Sequence, residues 1–421
     1  MRVHAPRSHA YVLLAACVAF PAFLHAAPID EELADFDSRQ DIRALGMAGA
    51  TVSRARGTDA VLTNPAGLAA IVDSEIAASG TYSNTGVNAR LGGDATDASA
   101  DRMRLGHLGL VYRPDDPSWL GVGMAYGRAR DLDMEVETAG IEALGDFARF
   151  DVFESRRTVG DIYALTLGVG AEVSPGIRFG VATDVLDGDR DRSVLFDADD
   201  AANVDPDLDS ARFDDDVARS VSGTRVRFGM ELAIVPEFAV GATVALPYDY
   251  DIEEDWQQLT RFAFDDGSDV RESGAGFTSY QLRVPAAYEA GATFRAGAWR
   301  VSGSVAYADW GRASYSRPPA SDVSTDQFAQ FYDAATDMRL GAEWAAHEAL
   351  TVRGGVGVSQ RPYADDDAQN AVTLAVGMST PLAPDAVLDV AYVRSAWDRL
   401  GAGVEESFHT DRVVVGARIL F

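Results

Sequence analysis

From residue 74 onward the chain alternates apolar and polar residues with a period of two, the pattern of strands whose two faces meet different surroundings. In 224–234 one face carries Thr224, Val226, Phe228, Met230, Leu232 and Ile234, and the other Arg225, Arg227, Gly229, Glu231 and Ala233. Fourteen such strands are predicted, near 74–85, 103–113, 119–130, 158–173, 177–187, 220–235, 238–250, 277–296, 299–311, 337–345, 350–360, 370–380, 386–397 and 407–421. The links between them alternate strictly. Short ones (114–118, 174–176, 236–237, 297–298, 346–349, 381–385) are built mostly of turn residues, and long ones fall at 86–102, 131–157, 188–219, 251–276, 312–336, 361–369 and 398–406. A soluble sandwich also alternates along its strands, but short turns at one end and long loops at the other are the layout of a bacterial outer-membrane barrel. The expected fold is therefore all-β: a 14-stranded antiparallel transmembrane β-barrel, occupying 74–421. Apolar residues should face lipid and Gly, Ser, Thr and Arg the lumen, with Tyr126, Trp299, Tyr307, Trp310, Trp344 and Trp397 near strand ends as candidate girdle aromatics.

The first 26 residues read as a signal peptide. Arg2 and Arg7 precede an apolar run from Tyr11 to Leu24, and Leu24-His25-Ala26 offers a small residue for cleavage. Leu14-Ala15-Ala16-Cys17 has lipobox chemistry, but lipidation at Cys17 would cut that apolar run in its middle. Beyond the leader no run approaches the roughly 18 apolar residues of a spanning helix.

Composition narrows the function. The 421 residues carry 65 acids against 36 basic side chains, all of them Arg, for a net charge of -29. That balance argues against nucleic-acid binding, which needs clustered cations. A single Cys rules out an internal disulfide or a Cys-based metal site, so neither metal nor cofactor is expected. Only His107, His347 and His409 lie beyond the leader, and none has a neighbouring motif of a hydrolase, so no enzymatic activity is expected. Asp187, Asp189 and Asp191 have Asp-x-Asp-x-Asp spacing, but Arg192 stands where a calcium loop needs Gly. The segment 188–219 alone holds eleven acids, read as a solvated or cation-bridged surface against anionic lipopolysaccharide.

At Leu45-Gly46-Met47-Ala48-Gly49-Ala50, Asp59-Ala60 and Asn64-Pro65-Ala66-Gly67-Leu68 the chain resembles the FadL/TodX family of outer-membrane hydrophobic-compound transporters. Val284-Pro285-Ala286, Gly291-Ala292-Thr293-Phe294, Val305 to Trp310 and Arg339 to Trp344 extend the resemblance, in matching order, over most of the mature chain. The Asn-Pro-Ala-Gly-Leu segment is shared with PorV-like barrels of type IX secretion, which hold secreted proteins at the cell surface; that alternative function stays open. The resemblance implies fourteen strands and an N-terminal hatch or plug, here 27–73. It also implies capture of a hydrophobic solute, such as a long-chain fatty acid, by the external loops, its binding in the lumen and its lateral release beside the third strand.

Candidate residues follow. Gly121, Gly123 and Gly127 in the third strand weaken pairing and mark a bend, or serve as small lumen residues. Arg225, Arg227, Arg283 and Arg339 are lumen candidates for holding a carboxylate, although pairing with lumen acids such as Glu231, Glu343 or Asp389 competes. Phe147, Phe150 and Phe153, with Leu132, Met134, Ile141 and Leu144, include helical spacing in a long loop and suggest a greasy capture surface; Phe328, Phe331 and Tyr332 do so in a later one. Phe421, Ile419 and Gly416 resemble the C-terminal signal read by the barrel-assembly machinery. The expected partners are a hydrophobic small molecule, membrane lipid and lipopolysaccharide, with the protein a monomer.

Overall fold

The computed structural model describes residues 41–144, 148–200, 207–319, 328–363, 370–401 and 404–421. The leader read over 1–26 lies outside the described residues. Eighteen strands are present among the described residues: β1 (Glu75–Leu91), β2 (Asp94–Tyr112), β3 (Leu120–Asp131), β4 (Met134–Leu144), β5 (Ala148–Ser174), β6 (Ile177–Asp199), β7 (Leu208–Val235), β8 (Phe238–Ala245), β9 (Tyr248–Phe264), β10 (Asp269–Val284), β11 (Ala287–Ala296), β12 (Trp299–Asp309), β13 (Ser314–Arg317), β14 (Ala334–His347), β15 (Leu350–Ser359), β16 (Ala371–Ala383), β17 (Ala386–Gly401) and β18 (Val404–Leu420). Fourteen of them form one closed antiparallel ring, β1-β2-β3-β5-β6-β7-β8-β11-β12-β14-β15-β16-β17-β18. The ring closes where β1 meets β18, with Glu75 opposite Leu420. The remaining long strands are continuations: β4 runs on from β3 along β5, and β9 and β10 prolong β8 and β11 beyond breaks at Pro247 and Pro285. Proline has no N–H for the ladder, so a break at those two positions is expected.

The long links are not loops. Most of 86–102 and 251–276, the stretches 188–199 and 208–219, and most of the described part of 131–157 are paired strands that carry the wall far past the membrane. β5 has 27 residues and β7 has 28, against roughly 9–11 for one crossing. The alternation simply continues there with acids in place of hydrophobes on the outer face. On β6, Asp187, Asp189 and Asp191 point out and Leu186, Arg190 and Val194 point in. The three aspartates therefore stand along an extended strand, about 7 Å apart, and cannot wrap a cation as a calcium loop does. The helical spacing noted over Leu132–Phe153 is likewise overridden: β4 and β5 pair through it.

Below this extension the outer face is apolar. Leu340, Leu374, Val376 and Val356 are each about half exposed, the inverse of a soluble core and the face a lipid bilayer covers. Trp299 and Trp344 stack at 5.3 Å beside the short turns, and Tyr126 and Tyr163 stack at 5.3 Å toward the other end. Two expected girdle residues turn inward instead. Trp310 is buried inside the ring, and Trp397 stacks on the buried Phe408. No helix among the described residues is long and apolar enough to span a membrane.

A charge on the outer belt should cost more than one on the extension. Leu374→Arg is expected to lower the unfolding free energy in lipid vesicles by about 2–4 kcal/mol, whereas Asp191→Arg changes it by less than about 0.5 kcal/mol, measured by denaturant titration.

Candidate functional site

Residues 41–73 lie within the ring. They form short helices α1 (Ile42–Leu45) and α2 (Thr58–Leu62) and a 3-10 turn (Pro65–Ala70), of which the first and the last begin on a side-chain cap. Asp41 accepts from the Arg43 backbone N–H at 2.8 Å, and Asn64 accepts from that of Ala66 at 3.1 Å, with Pro65 as first residue of its turn. Asn64 is fully buried and its side-chain amide donates to the Val52 carbonyl at 2.7 Å and to that of Met230 on β7 at 3.1 Å. The Asn-Pro-Ala-Gly-Leu segment is thus bonded to the wall.

The wall receives this segment through glycines. Gly121, Gly170, Gly180 and Gly229 are successive register partners on β3, β5, β6 and β7. A Cβ at Gly121 would lie 2.0 Å from the Leu68 carbonyl oxygen, at Gly180 2.3 Å from the Pro65 carbonyl carbon, and at Gly229 2.1 Å from Asn64 Oδ1. Gly241 and Gly291 face Val52 in the same way, and Gly341 and Gly355 face Met47. Backbone lies on backbone around most of the circumference. Of these glycines only Gly121 is a candidate site residue from sequence. The signal for the others was glycine recurring in the polar phase of consecutive strands, at matched distances from the short turns. Gly123 meets Val61 and Val111, and Gly127 meets His107.

Ion pairs fix the segment to the wall. Arg56 chelates Glu231 on β7 with two contacts of 2.6 Å. Arg43 reaches Glu75 on β1 at 3.1 Å, and Ser53 and Thr293 share a hydrogen bond of 2.6 Å. Burial would raise the Asp41 carboxyl, but the Arg43 guanidinium overrides it and holds Asp41 far below the usual carboxylate range. Asp59 goes the other way: burial, and then the charge of Asp41, push it up to about 7, with the Thr63 hydroxyl donating to it at 2.7 Å.

Beyond this segment, toward the extended end, lies a cavity of about 120 Å³. Its floor includes Leu62 and Thr63, and its walls bring together Val284, Ala308, Tyr248, Trp310 and several arginines. An apolar cluster continues outward from it, including Tyr250, Ile252, Tyr280 and Leu282, and α3 (Phe328–Phe331) packs Phe328 into it at 4.9 Å from the Tyr315 ring.

The carboxylate candidates are placed differently from one another. Arg225 and Arg227 both donate to the wholly buried Asp184, at 2.9 and 3.0 Å. Arg227 also donates to the Val61 and Leu62 carbonyls, at 2.9 and 2.6 Å, so it caps the end of α2. Arg339 lines the cavity, 3.3 Å from Glu289 and 2.5 Å from Asp337. Arg283, expected in the lumen, is exposed on the outer face, because Leu282 and Val284 take the inward phase of β10. In the expected capture surface, Phe150 is buried in a cluster with Phe196, Phe213 and Phe262 near the top of the wall, Phe153 is 38% exposed on the outside, and Phe147 lies outside the described residues.

A second feature lies where β2 and β3 part. Their pairing ends at His107 opposite Gly127, although both strands continue. The register shifts there, between Ser79 and Gly80 in β1–β2 and between Arg128 and Arg130 in β3–β5. Arg104 of β2 spans the parted strands to Asp161 at 2.8 Å, and Arg128 pairs with Asp131 at 2.9 Å. A smaller cavity there is bordered by Gly106, His107, Gly127, Arg128 and Leu62. The ring also brings Ser79 to His107, a pair invisible in sequence. Ser79 Oγ lies 2.8 Å from Nδ1 and accepts the His107 backbone N–H at 3.0 Å, which satisfies both groups. At the C-terminus Gly416 faces inward against Ile42, while Ile419 and Phe421 point out.

A closed fourteen-strand antiparallel barrel with an apolar outer belt is the class these features define. No protein-family model and no curated protein matches the sequence. Solved structures do match: the toluene transporter TodX of P. putida at a TM-score of 0.67 and 15% identity, covering 91% of this chain and 99% of that one. The toluene transporter TbuX of Ralstonia pickettii matches at 0.60 and 13%, over 90% and 99% of the two chains, and a Pseudomonas aeruginosa FadL homologue at 0.62 and 13%, over 91% and 98%. The chain has the fold of these FadL/TodX-type barrels.

Two outcomes are expected. Gly180→Ala should cost about 1–3 kcal/mol by overpacking and speed amide exchange across 52–70, whereas Gly303→Ala, whose Cβ would meet nothing closer than 3.6 Å, should leave exchange unchanged. Asp59 binds its proton more tightly folded than unfolded. Its contribution is therefore full below the ordinary value near 3.8 and is lost as pH rises through about 7. Asp59→Asn should be more stable than wild type at pH 8 by on the order of 2–4 kcal/mol, the two converging near pH 4, in thermal unfolding in detergent.

Proposed function

We propose that the protein is an outer-membrane passage for hydrophobic compounds, with residues 27–73 as its hatch and 74–421 as its barrel. The observation that carries this is Leu62: it borders both the larger cavity and the small one where β2 and β3 part. A solute reaching the first through the apolar cluster under α3 is separated from the wall opening by the end of α2. Movement of that end joins the two and releases the solute sideways, with Gly127 as the last paired residue before the opening. The extension, acidic on its outside and carrying apolar clusters on its inner surface, is the capture side and stands among lipopolysaccharide. The outward Ile419 and Phe421 serve recognition by the barrel-assembly machinery, after a leader has taken a monomeric chain across the inner membrane. The relatives in fold that are described as toluene transporters agree with a hydrophobic cargo.

Purified protein should bind toluene, and proteoliposomes containing it should admit such a compound faster than empty ones. No binding, together with normal uptake by a deletion strain, overturns the reading. Leu62→Trp should reduce the flux at least about tenfold while leaving equilibrium binding in the larger cavity within about threefold, because it blocks the junction and adds little to the site.

A further inference from the structure

In a chain whose acids outnumber its arginines by 65 to 36, one end of the lumen is short of acid. Ser53 of the inner segment, Thr293 of β11 and Ser302 of β12 join in a buried chain of hydrogen bonds, 2.6 Å from Ser53 to Thr293 and 2.8 Å from Thr293 to Ser302. An arginine stands near each of the three. Arg54 follows Ser53, and Arg295 and Arg300 lie two positions from Thr293 and Ser302 in the same inward phase. Arg295 and Arg300 are also direct partners across the β11–β12 hairpin, where like charges cost stability.

The acids nearby are already shared. Glu231 serves both Arg56 and Arg178, Glu343 serves both Arg300 and Arg353, and Glu172 serves Arg178 again. The guanidiniums of Arg54 and Arg295 have no hydrogen bond or ion pair among the described residues. Burial, and then the charges of Arg300, Arg56 and Arg295, hold Arg54 below the ordinary arginine value in spite of Glu231. Arg54, Arg56 and Arg300 are partly exposed and Arg295 is exposed, at the end of the ring that carries the short turns. That end faces the periplasm in a barrel of this layout. Arg295 and Arg300 point into the ring and away from the lipid belt, so what reaches them is a solute and not a lipid headgroup.

The missing charge amounts to more than one carboxylate supplies. A phosphate dianion carries two charges and several acceptor oxygens on one compact group, and several guanidiniums can grip it at once. We infer that Arg54, Arg295 and Arg300, with Arg56 beside them, form a binding site for a small dianionic oxyanion, of which inorganic phosphate is the simplest. Arg54 and Arg56 belong to the inner segment and Arg295 and Arg300 to the wall, so the bound anion replaces a repulsion between segment and wall by a bridge. The site is independent of the compound that the barrel carries.

The test is equilibrium dialysis of the full-length protein in a non-ionic detergent against labelled inorganic phosphate, at about pH 8 with sodium chloride holding the ionic strength constant. Wild type should bind one phosphate per chain, saturably, and at least about tenfold more tightly than acetate. Arg54→Gln combined with Arg295→Gln should weaken phosphate binding at least about tenfold, whereas Arg283→Gln, on the outer face, should leave it within about twofold. Phosphate also stabilises proteins by exclusion from their surfaces, and thermal unfolding separates the two effects. Wild type should gain more from phosphate than the double variant does, and without phosphate the double variant, relieved of the repulsion, should unfold at the higher temperature. Amide exchange across 52–70 should slow on adding phosphate in wild type only. The inference is overturned by an adventitious ion only, seen as binding that does not saturate, and by acetate binding as tightly as phosphate. It is equally overturned by undiminished phosphate binding in the double variant, or by a double variant less stable than wild type in the absence of phosphate.

Discussion

In a bilayer each backbone N–H and C=O must find its partner within the protein, and a sheet meets that demand only by having no edge. The rest of this structure depends on the pairing of β1 with β18, which converts fourteen strands into a ring. Closure gives the strands two environments with opposite tastes. Outside, hydrophobes such as Leu340 and Leu374 face lipid; inside, polar and small residues must satisfy one another. Where the ring rises past the membrane, the same pairing continues and only the outer residues change, from apolar to acidic. The large negative charge of the chain is in good part this outer surface.

The interior shows how a closed ring is filled without a conventional core. The inner segment lies against glycines, so its backbone approaches the wall more closely than any side chain would permit, and its polar groups are met by Glu231, Glu75 and Arg227. Arginines and acids neutralise one another in pairs and triads, such as Arg353 with Glu343 and Arg418 with Asp389. The result is a lumen rich in charged residues whose cavity offers mainly apolar surface. Where β2 parts from β3 the ladder stops, and Arg104 reaches across to Asp161 of β5 while Arg128 pairs with Asp131 on its own strand.

Strand number, sheet closure and the facing of most side chains were legible because period-two alternation and the placement of turn residues are local properties. The inward Arg225, Arg227 and Glu231 and the outward Phe228 and Met230 follow from their phase in one strand. The site was less legible. Arg283 was misplaced because the break at Pro285 makes β10 a separate strand whose phase cannot be read across it. The long links were mistaken for loops because an outer face of Asp and Glu lacks the hydrophobic signature by which membrane strands are sought. Phe150 and Phe153, three residues apart, suggested a helix, yet one is buried and the other outward because they occupy opposite phases of β5.

What the residues determined unaided was therefore the barrel: alternating hydrophobicity, Gly and Pro turns and the long-short rhythm of links each act over a few residues. Tertiary structure alone decided which glycines would bear the inner segment, which carboxylate each arginine would meet, and that Trp310 would turn inward to border a cavity. Those outcomes depend on register between strands up to hundreds of residues apart. A single step of slippage exchanges the two faces of a strand, and nothing local to Gly180, Asp184 or Trp310 records their partners.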